Sequence, residues 1–213
     1  MKGLFNYDGA VTVFLMKLGD CVLLSVLWVL FSLPVFTMGA ATTALYHAVR
    51  KVLREDYTGI FSHFWEGFRD NFKQSTAIGL ILMLIFGILG ASTYSAWLLY
   101  EAGEMGKLFF ILLLIICALV LMWAVYLLPC VDRFQSTVKR ILQSCVQVAL
   151  LNLIWSVVLM IICCGTVYLM LQLPMALAIL PAAGMYASSF LLEYVFRKYM
   201  NAEEPTGEME QAE

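Results

Sequence analysis

Five apolar stretches, near residues 12–36, 75–99, 108–129, 148–171 and 175–196, constrain this chain more than any motif in it. Each is long enough to cross about 30 Å of hydrocarbon, which at about 1.5 Å per residue takes on the order of 20 residues. Hydrophobic residues make up 62% of the chain and the mean hydropathy is +0.88. A water-soluble domain of this composition would lack the polar surface to cover its core, so the bilayer is the implied solvent. None of the five alternates apolar and polar residues as a barrel strand with a wet lumen must, and all read as helices. The expected fold is all-α: a polytopic membrane protein with about five transmembrane helices and several amphipathic helices on its cytoplasmic face. It forms one membrane domain over residues 1–198, followed by an acidic tail over 199–213.

The loops orient it. Arg50, Lys51, Arg54, Arg69 and Lys73 separate the first two spans, Arg133, Lys139 and Arg140 the third and fourth, and Arg197 and Lys198 follow the fifth. The positive-inside rule places these regions in the cytoplasm, with the N-terminus outside and the C-terminus inside. The opposite side carries only the short YEAGEMG connection at 100–106, the turn at Gln172, Leu173 and Pro174, and Lys2, Lys17 and Lys107. Lys17 and Asp20 interrupt the start of the first span, which reads as uncleaved, and they form an ion pair at its outer end. The tail NAEEPTGEMEQAE has no apolar periodicity and reads as disordered.

Three amphipathic segments build the inner face. Over 40–54, Ala41, Leu45, Ala48, Val49 and Val52 share one helical face, while Thr43, His47, Arg50, Lys51 and Arg54 share the other. Ala40, Ala44 and Ala48 form a small-residue stripe that admits a neighbouring helix. Over 60–73, Phe61, Phe64, Trp65, Phe68 and Phe72 suit a separate helix lying in the headgroup region. Over 131–146, Val131, Phe134, Val138, Ile141, Leu142 and Cys145 oppose Asp132, Gln135, Ser136, Lys139, Arg140 and Gln143. The stretch LWVLFSLP (27–34) resembles MWAVYLLP (122–129), with Trp six residues before Pro in both and Pro removing a helix hydrogen bond at the inner boundary. If this is a repeat, it is of the parallel type.

Candidate chemistry is sparse. The six cysteines form no CxxC pair and read as small packing residues. Asn152 suits an interhelical hydrogen bond, and Glu193 has Arg197 four residues on as its partner. Gly79, Gly87, Ala91 and Ser95 form a packing stripe in the second span, and Pro181 with Gly184 a bend in the fifth. His63 and Glu66, at i and i+3, could supply two metal ligands, but no third lies at a matching offset. His47 is a lone polar-face histidine. There is no phosphate-cradling loop, no nucleophile elbow and no metalloprotease pattern, so no catalytic, cofactor or metal residue is assigned and no enzyme is expected.

The segment LPVFTMGAATTALYHAVRK, followed by FWEGFRDNFKQ and an apolar span, resembles the YesL-like family of bacterial small membrane proteins, a family of unknown function. Leu33, Pro34, Thr37, Gly39, Ala40, Thr42, Ala44, Leu45, Phe64, Phe68, Asn71, Phe72 and Lys73 carry the resemblance. Pro34, Gly39, Thr42, Ala44, Phe64, Phe68, Asn71, Phe72 and Lys73 are also the candidate interaction residues. The resemblance implies a multi-pass protein of the bacterial plasma membrane whose relatives are often encoded beside carbohydrate ABC transporters, sensor kinases and polysaccharide-degrading enzymes. It implies a non-enzymatic accessory or regulatory role in sugar uptake or sensing. The expected partners are the lipid bilayer and ABC transporter or sensor kinase subunits, with no nucleic acid and no cofactor. The alternative is a small permease or channel acting as a homo-oligomer.

Overall fold

The computed structural model describes residues 10–55, 57–100, 104–133 and 138–207. Seven α-helices follow one another: α1 (Ala10–Ser32), α2 (Met38–Ala48), α3 (Ile60–Tyr100), α4 (Glu104–Arg133), α5 (Val138–Leu151), α6 (Leu153–Gln172) and α7 (Leu180–Gly207). Short 3-10 turns cover Val35–Thr37 and Pro174–Ala178, and a π-helical turn, Val49–Arg54, extends α2. No strand occurs among the described residues. The fold is all-α, and four helices are long and apolar enough to cross a membrane, over Leu15–Ser32, Ile60–Tyr100, Lys107–Arg133 and Leu153–Gln172. Their outward faces carry Leu84, Ile88, Leu108, Ile115, Ile154 and Ile161, all exposed. A continuous apolar surface of that kind belongs in hydrocarbon.

The fifth expected span is not among these four. Pro174 opens a 3-10 turn, so the helix begins only at Leu180, and α7 then buries Ser188, Ser189 and Glu193. It packs on α6 and α1, with Gly184 against the Thr166 side chain and the Ala182 N–H donating to Ser25 Oγ at 3.1 Å. The tail also departs from expectation: α7 continues to Gly207. Ala202, Glu203 and Glu204 are good helix formers, and extending a nucleated helix costs little. Residues 208–213 lie outside the described part, as do Lys2, the loop residues 101–103, and 134–137 of the third amphipathic segment.

The segment 60–73 is no separate surface helix. It forms the first turns of α3, which runs unbroken for 41 residues. Lys73, Gln74, Ser75 and Thr76 contain no breaker, so the helix propagates across the polar boundary. At 1.5 Å per residue α3 is about 60 Å long, twice the hydrocarbon thickness. Its aromatic face divides: Phe64 is fully buried and Phe68 packs edge-on against Phe31 at 4.9 Å, while Phe61 and Trp65 stack outward at 6.4 Å.

The helix α2 is packed, as its small-residue stripe predicts, and part of its polar face is covered as well. Eight of its eleven residues are buried, Thr43 and Tyr46 included. It lies antiparallel to α3, with Gly39 against Gly79 and His47 against Gly67. A Cβ at Gly39 would stand 2.5 Å from the Ser75 carbonyl oxygen, so only glycine allows this approach. Ala40, Ala44 and Ala48 are all essentially inaccessible. Of the second-span stripe, Gly79 makes the close contact, whereas Gly87 faces open space.

At the other inner boundary, α4 runs through Pro129 to Arg133, past the expected end of the third span near residue 129. Asp132 is therefore a buried residue at a helix end, not a solvated position on the third amphipathic segment. That segment begins at Val138 as α5, which buries Ile141, Cys145, Val148 and Ala149. The expected fourth span is split at Asn152, which precedes α6 with φ −122° and ψ 48° and donates from Nδ2 to Val148 O at 3.0 Å. The LWVLFSLP and MWAVYLLP stretches share one tertiary feature. Trp28 Nε1 donates to Thr42 Oγ1 at 3.1 Å, and Trp123 Nε1 to Leu142 O at 3.2 Å, each tying a long helix to the short one after it. They differ at proline, since Pro34 follows the end of α1 and Pro129 lies inside α4.

Lys17 has a partner that spacing along the chain does not show. Its Nζ donates to Leu53 O at 2.9 Å, one residue from Arg54. Lys17 and the basic π-helical turn therefore share one region of the fold.

Candidate functional site

Polar side chains converge where α2 and its π-helical turn meet the ends of α4 and α7 and the first turns of α3. Asp132, almost fully buried, is the hub. It is an acceptor only, so His47 Nδ1–H donates to its Oδ1, at 2.6 Å, and Arg50 Nη2 donates to Oδ2 at 3.4 Å. Arg50 and Lys51 each donate to Glu55, both at 3.1 Å. Burial alone would raise the Glu55 pKa; the hydrogen bond from Lys51 and the charge of Arg50 outweigh it and hold this carboxyl below its ordinary range.

A second group lies beside the first. Glu193, buried on α7, accepts from Tyr46 Oη at 2.9 Å and pairs with Arg133 of α4. Burial, and next the Glu193 carboxylate, push the Tyr46 phenol well above its ordinary pKa, so it remains a donor. Glu193 is thus partnered by Arg133, 60 positions away, instead of the expected Arg197. Arg54 donates to Ser189 O at 2.9 Å and lies over the Phe190 ring. The network clamps α2, α4 and α7 together, with a cation against every carboxylate named.

An open polar cleft of about 830 Å³ adjoins it, lined by Glu66, Gly67 and residues 69–74 of α3 together with His47 and Asp132. The candidate residues divide accordingly. Asn71, Phe72 and Lys73 line this cleft, and Asn71 Nδ2 donates to Gly67 O at 3.2 Å. The other six serve packing. The Pro34 carbonyl accepts from both the Thr37 N–H and its hydroxyl. Thr42 receives the Trp28 bond, Gly39 and Ala44 admit α3, and Phe64 and Phe68 enclose Phe31. Asp132, Arg133, Tyr46 and Glu193 carry no local signal that singles them out as one group; of the four, Glu193 alone stands out in the sequence, and with Arg197 as its partner.

A second cavity, of about 400 Å³, lies among the helices between Trp28, Thr42, Phe86, Val125, Thr166 and Met185, and its walls are almost wholly apolar.

The fold and the site define the class: a helical membrane protein with a polar junction at one end of its spans. Residues 21–93 match a family described as "Protein of unknown function, DUF624", which agrees with the YesL-like resemblance. That segment contains α2, its π-helical turn, most of α3 and the α3 wall of the cleft. No curated protein and no solved structure matches the chain.

Proposed function

We propose that this chain is a non-enzymatic protein of the bacterial plasma membrane that assists or regulates a carbohydrate uptake or sensing system by contact through its polar end. The reading rests chiefly on the length of α3, about twice that of one bilayer crossing, whose polar first turns carry the outward pair Phe61 and Trp65 and the cleft residues Arg69, Asp70 and Lys73. Paired exposed aromatics rimmed by charge suit a protein surface. The gene neighbourhoods implied by the resemblance supply the partner class, transporter or sensor kinase subunits. The basic side is taken as cytoplasmic, with the C-terminus on it.

A small oligomeric permease would need a polar path among its spans. The cavity between the described helices is apolar, which favours the accessory reading. A photo-crosslinking residue placed at Trp65 is expected to capture transporter or kinase subunits, and deletion of the gene to change sugar uptake. Recovery of the protein alone with unchanged uptake would reject the proposal, and flux through liposomes holding only this chain would establish the permease.

A further inference from the structure

The helix pair α2 and α3 brings together three side chains that sequence spacing leaves apart. His63 and Glu66 share a face of α3, and His47 reaches them from α2 because Gly67 lets its ring lie against the α3 backbone. One ligand atom from each residue falls within 4.8 Å of the others. Bonds of about 2.0–2.1 Å to a four-coordinate zinc place ligand atoms about 3.3 Å apart; Glu66 Oε2 already lies 3.3 Å from His63 Nδ1 and 3.9 Å from His47 Nε2, so the remaining closure is between the two imidazoles and falls to the less buried His63 ring.

The state of His47 is the second observation. Its Nδ1 is held by Asp132 Oδ1 at 2.6 Å, which leaves Nε2 as the ring nitrogen turned toward His63 and Glu66. That atom is buried without a hydrogen-bond partner, and its nearest carboxylate oxygen, on Glu66, is 3.9 Å away. A histidine held by a buried carboxylate on one nitrogen and unsatisfied on the other is the arrangement that orients metal-binding imidazoles. Arg50 occupies the other Asp132 oxygen and keeps that carboxylate in place.

We propose that His47, His63 and Glu66 bind one divalent transition-metal ion of the zinc class, with Asp132 orienting His47. Two imidazole nitrogens and one carboxylate suit zinc or cobalt, whereas magnesium and calcium prefer all-oxygen sites. The three protein ligands leave one coordination position facing the polar cleft. A bound ion would pin α2 to the first turns of α3, within the segment that matches the family.

The test is titration of the full chain, tag-free and chelator-stripped in detergent, with Co²⁺ and then Zn²⁺. One equivalent should bind with the visible absorption of four-coordinate cobalt, be displaced by zinc, and ignore excess Mg²⁺. His63→Ala and Glu66→Gln, both at the accessible rim, should abolish saturable binding while leaving thermal unfolding of the metal-free protein unchanged. Asp132→Asn should weaken binding about 10- to 100-fold with the cobalt spectrum retained. Absence of stoichiometric binding would overturn the proposal. So would undiminished binding in the His63→Ala/Glu66→Gln double variant, which places the metal elsewhere, or a cobalt–thiolate charge-transfer band, which assigns it to the cysteines.

Discussion

Glu193 shows what a single buried charge demands. With Tyr46 and Arg133 as its partners, it tolerates burial on α7; without Arg133 it would be a desolvated carboxylate that has lost its paired cation. Arg133→Met should therefore destabilise the fold by about 3–5 kcal/mol, and Glu193→Leu in the same chain should recover much of the loss. A double-mutant cycle read by unfolding in detergent measures this; equal and additive losses would show that the pair is not coupled. Spacing along α7 suggested Arg197, because i,i+4 partners are the ones visible in a linear reading. The residue chosen instead comes from another helix. Lys17 teaches the same point: its neighbour Asp20 was visible at three residues, and the Leu53 carbonyl at 36 was not.

Among the elements, α2 and α3 were the most legible and the most misjudged. Their residues, their helical character and the Ala40, Ala44 and Ala48 stripe could be read from periodicity. Their burial could not, because an amphipathic pattern says that two faces differ without saying what covers the polar one. Here the α4 end and α7 cover it with Asp132 and Glu193. The close crossing makes a sharp prediction. Gly39→Ala should lower stability by about 1–3 kcal/mol by forcing Cβ into the Ser75 carbonyl, seen as a fall in the thermal midpoint. Gly87→Ala, which meets nothing within 4 Å, should leave the midpoint unchanged. Equal effects at the two glycines would mean that helix propensity, not the crossing, controls the response. The merging of 60–73 into α3 follows from an absence, that of any Gly or Pro between Phe68 and Thr76, which was visible but outweighed by the change from polar to apolar sequence.

For the whole molecule, the arrangement about the bilayer is the testable quantity. The contact from Lys17 to Leu53 puts the start of α1 beside the basic turn. In a background lacking native cysteines, Lys17→Cys and Arg54→Cys should react with an impermeant thiol reagent from the same side of the membrane. Labelling from opposite sides would restore the separation inferred from span order. The choice of solvent, the all-helical class and the family segment were all available from the sequence, because hydropathy and motif are local properties that a window of about 20 residues contains. Which polar groups meet was decided only by tertiary structure. His47, Asp132 and Arg50 form one hydrogen-bonded unit although 85 and 82 positions separate the two basic residues from Asp132. Their pairing follows from where three helix ends are packed by their apolar faces, and that packing is non-directional and long-range, so no local pattern encodes it.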